Sequence, residues 1–302
     1  MSTIHANGID IRYELLGPRT GTPLVLTHGF AGPLDDWRPE VEPLAQDRPV
    51  VLYDVRGHGR TTVPADPAAY SMPSFAADLA ALLGGLGIER AHVGGVSMGG
   101  MITAQFAVDY PQVCESVVLI DTTCGNAALR PAAASAEGGS ASGGGEDAAS
   151  QWERRLALGI GALAHIARTY GLDETLRREH AWREANDPHW HESPYDPAHD
   201  FERIKLMTVD GYIGAAQAIL SRPDLTARIS EIEAPTLIMV GGWDDFLPCA
   251  RRDHALIPGS RLVVRRRCGH GTLWRHETFL QEVRTFLADV EAERPVAGER
   301  AV

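Results

Sequence analysis

The sequence predicts an α/β fold in which a doubly wound, mostly parallel sheet is interrupted by an inserted helical cap. Near both ends of the chain, short continuous apolar runs alternate with helical patterns, the rhythm of right-handed strand–helix–strand units. Between residues 125 and 225 that alternation stops, and helical patterns take its place. A chain of 302 residues is long enough for one such domain with an insertion.

The strand candidates begin with a hairpin. Residues 3–6 and 9–13 flank Asn7-Gly8, a pair that tolerates the positive φ angles of a tight hairpin turn. The later candidates are short and continuously apolar, so we expect them to be buried on both faces of a parallel sheet. In chain order they are Leu24–Leu26, Val50–Tyr53, Ala91–Val93, Val117–Ile120, Thr236–Val240 and Arg261–Val264.

Helical periodicity accounts for most of the remaining chain. Two helices are predicted before the cap, three within it and one after it. In chain order they are Ser74–Leu86, Met98–Tyr110, Trp152–Tyr170, Glu174–Ala185, Phe201–Leu220 and about Thr272–Val290. The pattern of Phe201–Leu220 is the clearest of those in the cap, because its apolar side chains follow one stripe.

These patterns set the predicted domain boundaries. Residues 1–124 and 226–302 form the two parts of the sheet domain, and residues 125–225 form the cap. Residues 131–150 are almost entirely Ala, Gly and Ser, which offers too little apolar surface to offset the entropy of ordering. We therefore expect a mobile loop there, and a frayed tail after Arg294.

The charge balance narrows the range of partners. The formal net charge is −12 and the sequence pI is about 5.4. A surface of this sign repels nucleic-acid phosphates and anionic lipid heads. No apolar segment is long enough to cross a bilayer as a helix, and the N-terminus lacks the basic start and apolar run of a signal peptide. We therefore expect a cytoplasmic protein that acts on a small molecule, without a nucleic-acid or membrane partner.

The cysteines give no sign of a metal site or of a disulfide framework. Cys114, Cys124, Cys249 and Cys268 are scattered, and no two of them form a Cys-x-x-Cys pair. The histidines of the cap also lack the helical spacing of metal ligands. A chain of this length does not need disulfides for stability. We expect reduced thiols, no metal and no cofactor.

The strongest chemical signal is Gly95-Val96-Ser97-Met98-Gly99-Gly100, which directly follows a predicted strand and opens a predicted helix. A residue at such a sharp strand-to-helix turn is forced out above the sheet. Glycines flank it because a Cβ at those positions would clash with neighbouring backbone. The N-terminus of the helix also favours negative charge beside the serine. This context predicts that Ser97 is a catalytic nucleophile.

A second signal is His28-Gly29-Phe30, at the end of the first buried strand. An acyl-transfer enzyme needs two backbone N–H groups aimed at the oxyanion that develops in the transition state. One is expected from Met98, immediately after the nucleophile, and the other from Phe30 in this loop. The alternative is that His-Gly only forms a turn. We expect His28 to be a structural hydrogen-bonding residue beneath the loop and not the base.

The base is expected on the loop after the last strand. His270 lies between the apolar run that begins at Arg261 and the final helix. The chain order of nucleophile, acid and base then fits the order found when a serine occupies a strand-to-helix elbow. Any one of the twelve histidines is usually structural, but His270 alone lies between the last predicted strand and the last predicted helix, at the end of the sheet from which Ser97 emerges.

The acid has more than one candidate. Its task is to hold His270 in the correct tautomer and to stabilise the imidazolium. Two adjacent carboxylates, Asp244 and Asp245, follow the penultimate strand, and we favour Asp244. Asp121, which follows the strand before the cap, is a third candidate, although a carboxylate at that position often caps a turn.

With these motifs together, the chain resembles the α/β-hydrolase superfamily over nearly its whole length outside the cap. The segments that carry the resemblance are His28-Gly29-Phe30, Asp54 to Gly59, Gly95 to Gly100, Pro235 to Asp244, and Gly269-His270. The resemblance implies Asp244 as the acid and Phe30 and Met98 as the oxyanion hole. Within the superfamily the chain looks like serine esterases and 3-oxoadipate enol-lactonases. Its cap is longer than in typical enol-lactonases, and the Ala/Gly/Ser stretch is unusual.

The leading hypothesis is therefore hydrolysis of a carboxylic ester or lactone, in which Ser97 forms an acyl-enzyme that His270 then helps water to cleave. We expect neutral small-molecule substrates. Two alternatives remain. One is a hydrolase that uses the same triad to cleave a C–C bond of a vinylogous diketone, and the other is a non-catalytic ligand-binding protein on a hydrolase fold.

Overall fold

The structure is a computed structural model that describes residues 2–130, 146–189, 197–271 and 277–302. The strands of this part of the chain are Ser2–Ala6 (β1), Ile9–Leu16 (β2), Leu24–Thr27 (β3), Val50–Tyr53 (β4), Ala91–Val96 (β5), Cys114–Ile120 (β6), Thr236–Gly241 (β7), Arg261–Arg265 (β8) and Gly298–Ala301 (β9). They form one sheet in the order β1-β2-β4-β3-β5-β6-β7-β8-β9. The pairs β1–β2 and β2–β4 are antiparallel, and the other neighbouring pairs are parallel.

The helices of the described residues lie before, within and after the interrupted part of the sheet. They are Arg38–Val41 (α1), Met72–Gly85 (α2), Met98–Asp109 (α3), Ala148–Tyr170 (α4), Leu172–Asn186 (α5), Pro197–Ile204 (α6), Val209–Leu220 (α7), Leu247–Leu256 (α8) and Glu277–Glu291 (α9). Four of them, α4 to α7, occupy the chain between β6 and β7, and we refer to them as the inserted helices. None of the helices in the described ranges is both long enough and apolar enough to cross a membrane.

The central strands of the sheet are buried on both faces, as their continuous apolar sequences predict, whereas the edge strands β1 and β9 are largely exposed. Side chains alternate along a strand, so Val117 and Leu119 of β6 join an apolar cluster that includes residues of α2 and α3. Val118 and Ile120 point the other way, into a cluster that includes residues of α9. Helices on both faces of a mostly parallel sheet confirm the predicted doubly wound fold.

One predicted helix is wrong in its extent. The stripe of Phe201–Leu220 is divided into α6 and α7, and residues 205–208 lie between them. Thr208 ends the continuity because its hydroxyl accepts a hydrogen bond from Gly211 N at 3.0 Å and so caps the start of α7. The apolar periodicity of the sequence continues through residues 205–208, so it gave no sign of the break between the two helices.

Two elements near the C-terminal end were not predicted correctly. The tail after Arg294 is not frayed along its length, because β9 adds to the sheet beside β8. Val296 is buried, and Val302 O accepts a hydrogen bond from Arg266 N at 2.8 Å. The edge of β8 offers unpaired backbone groups with which the tail can form hydrogen bonds. Pairing of this kind leaves no apolar pattern in the tail sequence, so the strand was not predicted. Helix α8 was missed, because its sequence is rich in charged residues.

The expected mobile loop at residues 131–150 lies mainly outside the described residues. Its last three residues are helical, since α4 begins at Ala148. The reason is a cap: the Asp147 carboxylate accepts a hydrogen bond from Ser150 N at 2.9 Å. The boundaries proposed for the sheet domain and the cap remain predictions.

A buried ionic cluster joins the first inserted helix to the sheet domain. Glu153 of α4 is fully buried. Its carboxylate accepts hydrogen bonds from Thr123 Oγ1 at 2.6 Å, from Ala127 N at 2.8 Å and from the Arg252 guanidinium at 2.8 Å. Arg252 belongs to α8, so a single carboxylate connects α4, the segment after β6 and a helix of the second half of the sheet domain. Both oxygens of the Glu153 carboxylate have hydrogen-bond partners. The cluster therefore holds α4 in place against the segment after β6 and against α8.

Glu153→Ala should destabilise the protein by about 3–5 kcal/mol, because it removes one of the two buried carboxylates that pair with Arg252 and leaves the N–H of Ala127 without its acceptor. The measurement is urea unfolding followed by circular dichroism. Glu174→Ala is the matched control, since Glu174 forms exposed ion pairs with Arg177 and Arg178 inside α5. The control should leave the urea midpoint unchanged. Equal midpoints for both variants would contradict the assignment of Glu153 as a structural anchor.

Candidate active site

Ser97 occupies the turn between β5 and α3 with φ 54° and ψ −116°, a conformation that non-glycine residues rarely adopt. The turn is tight enough to require the glycines around it. A Cβ at Gly99 would lie 2.2 Å from Thr27 O, and a Cβ at Gly95 would lie 2.4 Å from the carbonyl carbon of Gly99. The Thr122 hydroxyl fixes the turn from the next strand by donating to Ser97 O at 2.7 Å. The elbow predicted from the sequence is therefore formed.

The three residues predicted to act together lie in one chain of hydrogen bonds. His270 Nε2 is 3.2 Å from Ser97 Oγ, and His270 Nδ1 is 3.0 Å from Asp244 Oδ2. If Nδ1–H donates to the carboxylate, Nε2 is left to accept the serine proton. Each residue comes from a different loop, at the ends of β5, β7 and β8, and parallel strands bring these ends to one edge of the sheet.

Asp244, rather than its neighbour Asp245, holds the histidine. The Asp244 side chain is fully buried, whereas Asp245 is exposed. Burial by itself opposes ionisation, but the adjacent His270 and a hydrogen bond from Phe246 N at 2.9 Å outweigh it, so the pKa of Asp244 is lowered. Asp244 is therefore kept as a carboxylate, the form that can stabilise a protonated imidazole beside it.

Asp121, the third acid candidate, is also at this site. It follows β6, is fully buried and has φ 45°. It accepts hydrogen bonds from Gly241 N at 3.1 Å and from Gly271 N at 3.2 Å. It therefore does not simply cap its own turn, since it links the loops that carry Asp244 and His270.

The loop after β3 lies against the elbow, as predicted for an oxyanion hole. A Cβ built on Gly29 would be 3.7 Å from the Cβ of Ser97. Phe30 follows Gly29, and Met98 follows Ser97, so both backbone N–H groups flank the serine. Within the described ranges, no hydrogen-bond acceptor is paired with the N–H of Phe30 or of Met98. Two free donors beside a nucleophile suit a developing oxyanion.

Two buried histidines support this loop. The His28 ring lies 2.8 Å from Gly29 O through Nδ1 and accepts from Val55 N through Nε2 at 2.9 Å. His58 likewise lies 3.1 Å from Arg56 O and accepts from Ala31 N at 3.3 Å. Each ring therefore needs one N–H and one bare nitrogen, which is the neutral form. This agrees with the structural role expected for His28.

Burial enforces that neutral form. Desolvation, with a smaller contribution from the positive charge of Arg203, lowers the pKa of His28 to about 4. Desolvation and the neighbouring His28 lower the pKa of His58 to about 3. The two rings are 5.0 Å apart, so protonating either one disfavours protonating the other. The support beneath the oxyanion loop is therefore uncharged at neutral pH.

The inserted helices reach the site through aromatic contacts that the sequence did not reveal. Phe246 stacks on the His270 ring at 5.0 Å between centroids, and Trp152 of α4 meets Phe246 edge-on at 5.4 Å. On the opposite side, Tyr212 of α7 packs against Phe30 at 4.5 Å. Phe246 has one sequence signal, its position two residues after the acid, but contact with the histidine depends on the fold.

Asp121, Asp244 and His270 also form the one group in the described part of the chain whose ligand atoms cluster closely enough for a metal ion, all within 4.8 Å. Those atoms are engaged with one another, with Ser97 and with the N–H groups of the surrounding loops. The arrangement is therefore suited to holding and moving protons.

Comparison with known proteins extends the likeness beyond these motifs. Residues 22–140 match the family described as alpha/beta hydrolase fold. The chain is also 28% identical to a protein of Variovorax paradoxus (strain S110) that carries the provisional name carbamate hydrolase RutD. That similarity covers 94% of this chain and 98% of the relative.

Solved structures share the architecture over nearly the whole chain. The enol-lactonase from Burkholderia xenovorans LB400 matches with a TM-score of 0.72 at 23% identity, covering 95% of this chain and 100% of that one. A structure from work on carboxylesterases of Nitrososphaera gargenis matches with a TM-score of 0.77 at 22% identity, covering 97% and 100%. Identities this low support a common fold and leave the substrate open.

The neutral histidines predict a loss of stability in acid. An unfolded histidine binds a proton near pH 6.5, whereas His28 and His58 stay neutral down to about pH 4 and 3. Between these values the unfolded chain binds more protons, so the free energy of unfolding falls as the pH is lowered. Each histidine contributes a slope of up to about 1.4 kcal/mol per pH unit.

The measurement is urea unfolding between pH 7 and 4. His58→Asn should show a shallower dependence on pH than the wild type, because one of the two groups no longer titrates. His5→Asn, a change at an exposed position, is the control and should follow the wild type. If the wild type were equally stable at pH 7 and pH 5, the role given to the two rings would be wrong.

Proposed function

Because the chain has the α/β-hydrolase fold and hydrolases are among the proteins it resembles, we propose that it is a serine hydrolase that cleaves a carboxylic ester or a lactone. The observation that carries the proposal is the continuous hydrogen-bonded chain from Ser97 through His270 to Asp244. In this assignment Ser97 is the nucleophile, His270 the general base and acid, and Asp244 the carboxylate that orients the histidine.

The first half of the reaction forms an acyl-enzyme. Ser97 Oγ attacks the substrate carbonyl carbon as its proton moves to His270 Nε2. The imidazolium that forms keeps its Nδ1–H on Asp244, whose negative charge stabilises it. His270 then gives the proton to the leaving alkoxide, and the bond between the acyl carbon and the alcohol oxygen breaks. In a lactone that alcohol stays attached to the acyl group.

The second half returns the enzyme to its starting state. Water attacks the acyl carbon while His270 Nε2 takes its proton, and Ser97 Oγ leaves with that proton as the carboxylic acid is released. Both tetrahedral intermediates carry an oxyanion, for which the N–H groups of Phe30 and Met98 are the donors in this proposal. Their free state and their position beside Ser97 support that role.

The surroundings of the nucleophile favour an uncharged, small to medium substrate. Phe30 and Tyr212 form an aromatic contact on the oxyanion side, and Phe246 lines the histidine side. The chain as a whole carries a formal net charge of −12, which disfavours the approach of polyanions. Neutral esters and lactones therefore suit the site better than dianionic acids.

Ser97→Ala should fold normally and lose about 10³-fold or more in kcat, because the nucleophile works as a unit with its base. The assay is a panel of p-nitrophenyl esters and lactones on the purified protein, together with labelling by a fluorophosphonate probe. Ser221→Ala, a change at an exposed hydroxyl on the end of α7, is the control.

The outcomes of this experiment separate the parts of the proposal. Hydrolysis by the wild type and its loss in Ser97→Ala support both the mechanism and the substrate class. Labelling of Ser97 without turnover of any ester or lactone overturns the substrate class. No labelling at all overturns the nucleophile and favours a ligand-binding protein.

Asp244→Asn should lower kcat by about 10²-fold or more, because an amide at this position favours the wrong tautomer of His270. Asp245→Asn is the matched control, since it makes the same chemical change one residue away at an exposed position. It should retain most of the activity in the same assay. A larger loss in Asp245→Asn than in Asp244→Asn would show that the acid has been misassigned.

A further inference from the structure

Asp121 makes contacts that an ordinary turn-capping carboxylate does not. It lies at the end of β6, between the two loops that carry Asp244 and His270. One of its oxygens accepts the N–H of Gly241, which ends β7 three residues before the acid. The other accepts the N–H of Gly271, which follows the histidine directly. A single buried side chain therefore joins both loops.

Asp121 also contacts the carboxyl group of Asp244. Both side chains are fully buried, and a carboxyl oxygen of each lies within 4.8 Å of the other and of a ring nitrogen of His270. A hydrogen bond can form between two neighbouring carboxyl groups when one of them carries a proton. Two ionised carboxylates at this separation in a buried site would repel each other strongly.

The surroundings decide which carboxyl group holds that proton. Asp244 faces His270, whose Nδ1 it binds at 3.0 Å, and this favours its ionised form. The groups that face Asp121 are the N–H of Gly241, the N–H of Gly271, Asp244 and, within 4.8 Å, the His270 ring, which pairs with Asp244. In the described residues no arginine or lysine forms an ion pair with Asp121. Burial and the negative charge of Asp244 raise the pKa of Asp121 well above its usual value.

We propose that Asp121 is a positioning residue: a neutral carboxylic acid that donates a hydrogen bond to Asp244 and accepts one from each of the neighbouring loops. Asp244 is then held between Asp121 and His270, and the histidine loop is tied to the acid loop. The proposal rests on the proposed function for its catalytic meaning. During the reaction the serine proton travels only between Ser97, His270 and the substrate, and the proton of Asp121 stays in place.

Two substitutions at this position test different properties of Asp121. One replaces it with a neutral side chain that can still donate a hydrogen bond, and the other removes the side chain. Asn in Asp121→Asn is neutral, can donate through Nδ2 to Asp244, and tolerates the positive φ of this position. Asp121→Gly also accepts that φ but deletes every contact. Asp253→Asn is the control for loss of a buried carboxylate away from the site, because Asp253 is buried, pairs with Arg252 and accepts the N–H of Cys124.

We expect Asp121→Asn to keep most of the wild-type kcat, with the acid limb of its pH–rate profile unmoved. Asp121→Gly should lose about 10- to 100-fold in kcat at nearly unchanged KM, because Asp244 and His270 are no longer held in the correct relative position. Asp253→Asn should lower the urea midpoint without changing the pH profile. An acid limb displaced to lower pH in Asp121→Asn would reveal a lost negative charge and overturn the proposal, and so would wild-type kcat in Asp121→Gly.

Infrared spectroscopy tests the proton without any substrate. The wild type at neutral pH should show the C=O stretching band of a protonated carboxyl group, and Asp121→Asn should lack it while Asp253→Asn keeps it. A spectrum without that band overturns the proposal even if the enzyme hydrolyses esters. If no ester or lactone is hydrolysed but the band is present and lost in Asp121→Asn, the proposed function fails and the placement of the proton stands.

Discussion

The close approach of the β5–α3 turn to the end of β3 is the constraint on which the rest of the site depends. At Gly99 there is room for a hydrogen and not for a methyl group, because Thr27 O is 2.2 Å from where a Cβ would lie. This contact brings the loop after β3 beside Ser97 and holds the serine in a conformation that a relaxed chain avoids. Ser97 and the loop that carries Phe30 are thus positioned by the same backbone contact.

Burial, together with the hydrogen-bond partners of each group, determines which groups near Ser97 are charged and which are neutral. His28 and His58 stay neutral because desolvation opposes their protonation and each uses a bare nitrogen to accept a backbone N–H. Asp244 stays ionised because His270 is its hydrogen-bond partner. The same low-dielectric surroundings thus produce opposite outcomes according to the partner of each group. A site organised in this way needs little rearrangement when charge develops in a transition state.

The inserted helices contact the site from two elements. Helix α4 is anchored by the buried carboxylate of Glu153, and one residue earlier Trp152 contacts Phe246, which stacks on His270. Helix α7 contacts the oxyanion loop through Tyr212 and Phe30. Changes in the insertion can therefore reach His270 and the loop that carries Phe30 through these aromatic contacts.

The sequence by itself determined the doubly wound sheet, the elbow at Ser97 and the loops that carry Phe30, His270 and Asp244, because apolar runs, glycine spacing and chain order are local or periodic signals. It favoured Asp244 over Asp245 and Asp121 but could not show which carboxylate contacts His270, since that requires distances between residues far apart in the chain. It also gave one helix where Thr208 separates two, and no sign of β9. Only the tertiary structure decided these points, because long-range hydrogen bonds and burial set which group pairs with which.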